Sequence, residues 1–245
     1  MSKSKKNIVD PVNIIKEYGA DTARIFMLSD SPPERNLEWS SSGIEGAKKY
    51  IHKIWVYFNN IEFHKDKTKN NIDDDYKDAL SIKLRQQMHF CIQKVTQNLD
   101  SFQYNVAVAT IREFSNLFLQ TKPDKKNLDL SKSLYKALTS WVIMISPLMP
   151  HLAEELWKKL GNLNSLACEQ PWPKVNKKYI EIKNINLVVQ INGKKKLIIN
   201  LKKGLSKEET KKNVLKELDT KGLLKNTTIN KFIIIPDRIA NLVIK

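Results

Sequence analysis

The sequence predicts a mainly α protein, an antiparallel helical bundle followed by a small α+β unit. Three observations carry this. Apolar residues recur at intervals of three and four through the first two thirds of the chain, the spacing of one helix face. Glycine, which weakens helix interiors, occurs only seven times in 245 residues. Beyond residue 184 the apolar period changes from helical to two, the period of a half-buried strand. The 41% hydrophobic content is that of an ordinary globular chain, so composition does not point to disorder.

The first helix is expected to start at Asp10-Pro11. There an acceptor side chain precedes a proline whose missing N–H costs nothing. It should run to Tyr18, with Gly19 in the left-handed position after the last turn. Asp21 is expected to cap a second helix, Thr22 to Leu28, which Ser31-Pro32-Pro33 ends. Longer amphipathic segments follow. Ile44, Ala47, Ile51, Ile54, Phe58 and Ile61 make one stripe, and Leu80, Leu84, Met88, Cys91 and Val95 a second. Ala107, Ile111, Phe114 and Phe118 make a third, and Leu134, Leu138, Trp141, Val142 and Ile145 a fourth. Pro147 and Pro150 precede a shorter helix around Leu152, Leu156 and Trp157, closed by Gly161. Each stripe must be buried against another, which favours a bundle.

After Trp172-Pro173 the residues are mostly charged and read as a linker. Ile185, Leu187, Val189 and Ile191 alternate, Asn192-Gly193 supplies a hairpin turn, and Leu197, Ile199 and Leu201 alternate again. Ser206 and Glu209 have the spacing of a capping box for a helix to about Leu218. Strands at Ile229–Ile235 and Ile239–Ile244 complete the unit.

The net charge of +16 favours a polyanionic partner. Residues 174–245 hold 17 Lys and 1 Arg against 4 Glu and 2 Asp, a net +12. Abundant Lys, Asn and Ile also fit a bias in codon usage. Cys91 and Cys168 are too few and too far apart for a disulfide framework or a zinc site. No stretch has the roughly 20 apolar residues of a membrane span. The basic start leads to Asn7 and Asp10 instead of an apolar run, which predicts no signal peptide and a cytoplasmic protein.

Met1-Ser2-Lys3-Ser4 alone matches many solvated basic segments. It is followed by Asn7-x-Val9-Asp10-Pro11-x-x-Ile14-Ile15-x-x-Tyr18-Gly19-Ala20-Asp21-Thr22-x-Arg24. That run resembles the segment after the KMSKS loop of class I aminoacyl-tRNA synthetases. Pro32-Pro33-Glu34, Leu37-Glu38-Trp39-Ser40 and Gly43-x-Glu45-Gly46 are similar to the leucyl subfamily. Ser146-Pro147-x-x-Pro150-His151-x-Ala153-Glu154-Glu155-Leu156-Trp157 resembles the end of the group's helical anticodon-binding domain. Val189-Gln190-x-Asn192-Gly193-Lys194, with the small α+β unit it opens, resembles the leucyl enzyme's C-terminal domain. Valyl and isoleucyl enzymes share the first run. A cysteine-rich zinc tail, typical of many isoleucyl relatives, and a terminal coiled coil, typical of valyl ones, are not seen. A stand-alone, non-catalytic tRNA-binding module is the alternative of a different class.

The resemblance implies four segments: 1–40 with the signature loop and stem-contact helices, 41–173 the anticodon-binding domain, 174–184 a linker, and 185–245 a tRNA-binding α+β domain. It implies a leucine–tRNA ligase that forms leucyl-adenylate from ATP and transfers leucine to tRNA-Leu. ATP is the substrate, with Mg2+ alongside and no metal site in this chain, and the protein is a monomer. Met1, Ser2, Lys3 and Ser4 would form the ATP-phosphate loop, with Lys3 the catalytic ammonium that stabilises charge shifting onto phosphate oxygens. The signature's first lysine would precede Met1. The group's other ATP signature, H-x-G-H, has no match, since His52, His64, His89 and His151 stand alone. The expectation is that this polypeptide by itself activates no amino acid, and that ATP and leucine bind only with an upstream catalytic core.

Lys194, Lys195 and Lys196 after the hairpin turn, with Lys202 and Lys203 at the next strand's end, are the expected tRNA contacts. Lysines on an exposed strand also block edge-to-edge aggregation, a competing explanation of the same residues. His151, at a helix start, is expected to pack or cap. Glu154 and Glu155 are expected in that helix's first turn, where negative charge suits the dipole.

Overall fold

The computed structural model describes residues 9–36, 38–63, 78–180, 184–224 and 229–244. The chain divides after Ile180 into two compact units, Met1–Ile180 and Glu181–Lys245. The described residues are 57% helical, with one small four-stranded mixed sheet.

The first unit holds α1 (Pro11–Tyr18), α2 (Ala20–Asp30), α3 (Ser41–Asn59), α4 (Ala79–Asp100), α5 (Tyr104–Phe118), α6 (Leu128–Ile145), α7 (Pro150–Lys159) and the short α8 (Lys177–Ile180). Local chemistry starts most of them. Asp10 accepts from the Val12 N–H, Ser40 from Gly43, Asp78 from Ser81 and Asn127 from Leu130, each satisfying an amide that the helix cannot. Two bonds from Ser81, backbone and then side chain, hold the Asp78 carboxyl below its ordinary range.

Gly19 departs from expectation. Its φ of 88° is positive, but its ψ of 153° is extended instead of left-handed helical. Only glycine tolerates that region easily, and Gly19 both closes α1 and starts α2. With α2 beginning at Ala20, Asp21 lies in its first turn and is not its cap.

The apolar stripes meet in one core. Trp141 is fully buried, its ring 5.2 Å from Phe118 and 6.2 Å from Phe58, and its indole N–H donates to the Ile111 carbonyl at 3.3 Å. Burial raises the Tyr57 hydroxyl strongly, and the group donates to the Thr121 carbonyl at 2.7 Å. Gly43 is set by space. A Cβ there would lie 2.6 Å from the Phe26 ring, which itself packs edge-on to Trp39 at 5.2 Å. Residues 174–180 also pack on this unit. The Trp172 indole donates to the Thr96 hydroxyl, the Asn176 amide donates to His89 Nδ1, and Tyr179 of α8 stacks on the His89 ring at 4.9 Å.

The second unit holds β1 (Asn184–Ile191), β2 (Lys194–Lys202), α9 (Lys207–Thr220), β3 (Ile229–Ile235) and β4 (Ile239–Ile244). The sheet order is β2-β1-β4-β3. Both hairpins are antiparallel, and the central β1 and β4 run parallel, a pairing that alternation alone does not reveal. Asn192 and Gly193 have φ of 48° and 77°, as a two-residue turn with both central residues left-handed requires. Ser206 and Glu209 form the reciprocal capping box of α9, and the two Ser206 bonds, backbone first, lower the Glu209 carboxyl. Leu187, Val189, Leu197, Ile199, Val214, Leu218, Ala240 and Leu242 are among the residues of the small core under α9.

Candidate nucleic-acid interface

Met1, Ser2, Lys3 and Ser4 lie outside the described residues, as does His64. What the structure does describe is the anchor of the helices that follow them. Asp21 Oδ2 accepts from the Leu152 amide at 2.7 Å, and Oδ1 is 3.0 Å from His151 Nδ1. The start of α7 has no side-chain cap of its own, so Asp21 caps this distant helix instead of α2. One turn along α2, Arg24 Nη2 donates to the Pro147 carbonyl at 2.7 Å and Nε to that of Leu148 at 3.1 Å. A carboxylate thus meets a helix N-terminus, while a guanidinium takes carbonyls just past the end of α6. Both placements match the helix dipoles. The two sequence motifs, Gly19 to Arg24 and Ser146 to Trp157, are halves of one clasp. Sequence reasoning offers His151 no partner; its partner is Asp21, 130 residues away.

Glu154 and Glu155 sit past the first turn of α7, not in it. Glu155 pairs with Lys158 on the surface at 2.9 Å. Glu154 accepts from the Ala167 and Cys168 amides at 2.9 and 3.0 Å. Partial burial works to raise its carboxyl, but the two amides and the nearby Cys168 and Lys158 outweigh that, leaving it below its ordinary value. Burial pushes the Cys91 thiol up to about 12, and the bond to Glu154 raises Cys168. Neither is a thiolate nucleophile near neutrality. Among the described residues no three or more His, Cys, Asp or Glu side chains converge as a metal site. No described helix is long and apolar enough to cross a membrane.

Lys194, Lys195, Lys196, Lys202 and Lys203 are all exposed. They do not form one cluster. Lys194–Lys196 lie at the turn end of β2 and Lys202–Lys203 at its other end, about 23 Å apart for seven residues of extended chain. The turn end is held in place. Asn192 exchanges side-chain bonds with the Ile244 backbone at 3.0 and 3.2 Å, and Asn241 accepts from the Gly193 amide at 3.1 Å. Sequence spacing does not reveal these asparagine bonds, because their partners lie some 50 residues away. The β1–β2 register slips between Val189 and Gln190, so that Gln190 pairs with Lys195 while Val189 pairs with Leu197. Lys195 and Lys196 therefore oppose the single residue Gln190. β2 is an edge strand, and a bulge with lysines on such an edge also deters strand pairing.

The chain is similar to known proteins along its whole length. A family described as "Anticodon-binding domain of tRNA ligase" matches residues 82–212. One described as "tRNA synthetases class I (I, L, M and V)" matches residues 1–40. The leucine–tRNA ligase of Lawsonia intracellularis is 38% identical over 99% of this chain and 30% of its own length. That of a Jannaschia species is 36% identical over 100% of this chain and 27% of its own. The chain thus spans under a third of the length of these relatives. The LeuRS of Agrobacterium radiobacter, solved as a ternary complex with tRNA and LeuAMS, matches with a TM-score of 0.76 and 29% identity, over 100% of this chain and 31% of that one.

Proposed function

The chain belongs to the family of the anticodon-binding domain of tRNA ligases, and from that premise we propose that it works as part of a leucine–tRNA ligase, supplying the ATP-phosphate loop and the surfaces that hold tRNA-Leu. The observation that carries the proposal is the 36–38% identity to leucine–tRNA ligases over essentially the whole chain. In this reading α3 to α7 form an antiparallel bundle. The three residues 101–103 between α4 and α5, and the four residues 146–149 between α6 and α7, suit reversals of direction.

Catalysis divides by chemistry. Attack of the leucine carboxylate on the α-phosphorus of ATP forms leucyl-adenylate and expels pyrophosphate. Lys3 would place an ammonium on phosphate oxygens as their charge redistributes, with Met1, Ser2 and Ser4 shaping the loop. The clasp of Asp21 and Arg24 ties the helices downstream of that loop to α6 and α7, a firm base for a loop that opens and closes. Amino-acid activation then requires the nucleotide-binding core of a longer enzyme. The basic ends of β2 would take tRNA phosphates, which add affinity with little base information.

The test is the salt dependence of tRNA-Leu binding by this chain. Replacing Lys194, Lys195 and Lys196 with alanine should lower the slope of log K against log salt by up to about 3 units, near 0.9 for each phosphate no longer neutralised. An unchanged slope would remove the hairpin from the interface. Leucine-dependent ATP–pyrophosphate exchange by this chain alone would contradict the division of labour.

A further inference from the structure

Within the second unit, the two edges of the sheet differ. β2, at one edge, carries Lys194, Lys195, Lys196 and Lys202 and faces a register slip, the features that keep a strand edge from pairing with another chain. β3, at the other edge, has a single charged residue, Lys231, followed by Phe232-Ile233-Ile234-Ile235. Among the described residues β3 pairs with β4 alone. Its outer side therefore presents a row of backbone N–H and C=O groups.

Side chains flank that edge on both faces of the sheet. On the face away from α9, Ile198, Val188, Ile239 and Ile235 stand abreast, one from each strand in paired register. Ile198 is 49% exposed, Ile235 48% and Ile233, two residues along β3, 40%. A fifth strand beside β3 would continue this aliphatic row. On the α9 side, α9 and β3 border an open groove of about 400 Å³, lined by Lys207, Lys211, Lys231 and Glu208 with Phe232 and Ile234. Lys207 and Lys211 are four residues apart and share one side of α9. Lys211 Nζ stands 5.9 Å from the centre of the Phe232 ring. Three ammonium groups against one carboxylate leave the groove positive.

The chemistry of the edge selects its partner. Alternating donors and acceptors are matched by another peptide backbone, whereas phosphate groups offer acceptors alone and would leave the strand's carbonyls unpaired. A second copy of this chain would set one positive groove beside another, on units of +9 each. We propose that the β3 edge takes up an extended segment of an acidic partner protein as a fifth strand. Aliphatic side chains on one face of that segment continue the row at Ile233 and Ile235, and carboxylates on the other face Lys207 and Lys211. Main-chain bonds supply the affinity and the alternation supplies the selectivity. This binding is separate from any contact with tRNA.

A labelled peptide of alternating valine and glutamate, about seven residues long like a typical strand, tests this when titrated with the full 245-residue chain in the absence of tRNA. It should bind saturably and add hydrogen-exchange protection in β3 but not in β2. Ile235→Lys, at an exposed position that folding tolerates, should weaken binding by about tenfold. Lys207→Glu with Lys211→Glu should weaken it by about tenfold or more and favour a peptide of alternating valine and lysine instead. Equal binding of the two peptides by the unaltered chain, or no gain of protection in β3, would overturn the proposal. Protection of β3 by tRNA-Leu and not by the peptide would assign the edge to RNA and overturn it too. So would protection that rises with the concentration of the chain alone, which would assign the edge to a second copy.

Discussion

The helical unit and the sheet unit solve stability in different ways. The first buries a mixed aromatic core, in which Phe118 makes ring contacts with Phe58, Phe114 and Trp141, and Phe58 with Trp141. The core of the second, among the described residues, buries aliphatic side chains alone, and Phe232 is only partly covered. Charge runs the other way. Residues 181–245 hold 14 Lys and 1 Arg against 4 Glu and 2 Asp, so these 65 residues supply +9 of the chain's +16. Small domains have little interior to spare. The second unit keeps its described lysines exposed, on α9, on the edge strands and in turns, and holds the β1–β2 turn with asparagine bonds, so its charge costs the core nothing. The larger unit can devote buried polar groups to tying distant segments together, as with Asp21.

Substitutions can break this contrast, and the largest effect belongs to the aromatic core. Trp141→Ala should destabilise the helical unit by about 3–5 kcal/mol, read as a fall in the denaturant midpoint. A loss under about 1 kcal/mol would mean that the ring network is not the keystone. Leu218→Ala, in the fully buried aliphatic core, should cost about 2–3 kcal/mol, at the low end for such a change because a small unit collapses onto the space. Hydrogen exchange of the β1 and β4 amides would report it, and a cost matching that of Trp141→Ala would erase the distinction. Gly43→Ala should cost about 1–3 kcal/mol through overpacking against the Phe26 ring. Shortening that ring with Phe26→Leu should recover part of the loss when the two changes are combined. A neutral Gly43→Ala would show that the ring moves freely.

Asp21→Ala should cost about 1–2 kcal/mol, the worth of a distant helix cap, with protection lost at the Leu152 amide. Retained protection there would refute the clasp. The smallest effect concerns acid. Because the Glu154 carboxyl is lowered in the folded state, its contribution is complete above the unfolded value of about 4.3. It fades as pH falls through the lower folded value. Below about pH 4 the Ala167 and Cys168 amides should therefore lose protection relative to their intrinsic exchange, and Glu154→Gln should make that protection insensitive to pH in this range. An identical acid response in the variant would assign the effect to another carboxylate.

Helix and strand positions are legible because period-three-to-four and period-two patterns are local. Asp10, Ser206 and the Asn192-Gly193 turn behave as their residue types require, with partners two or three residues away or in their own backbone angles. The same local logic misassigns Asp21 and the first turn of α7, where a side chain one turn from an expected cap finds a stronger claim elsewhere. It also takes the five hairpin-strand lysines as one set of contacts, although they lie at opposite ends of β2.

The sequence by itself determined the order of elements, the stripes they bury and the concentration of positive charge towards its end, since all three follow from spacing and residue type. Only the tertiary structure decided that β1 lies parallel to β4, that Asp21 and Arg24 grip the junction of α6 and α7, and that Lys159 of α7 stands over the Trp55 ring of α3. Each of these joins residues that only folding brings within hydrogen-bond or van der Waals range. No local pattern encodes such distances.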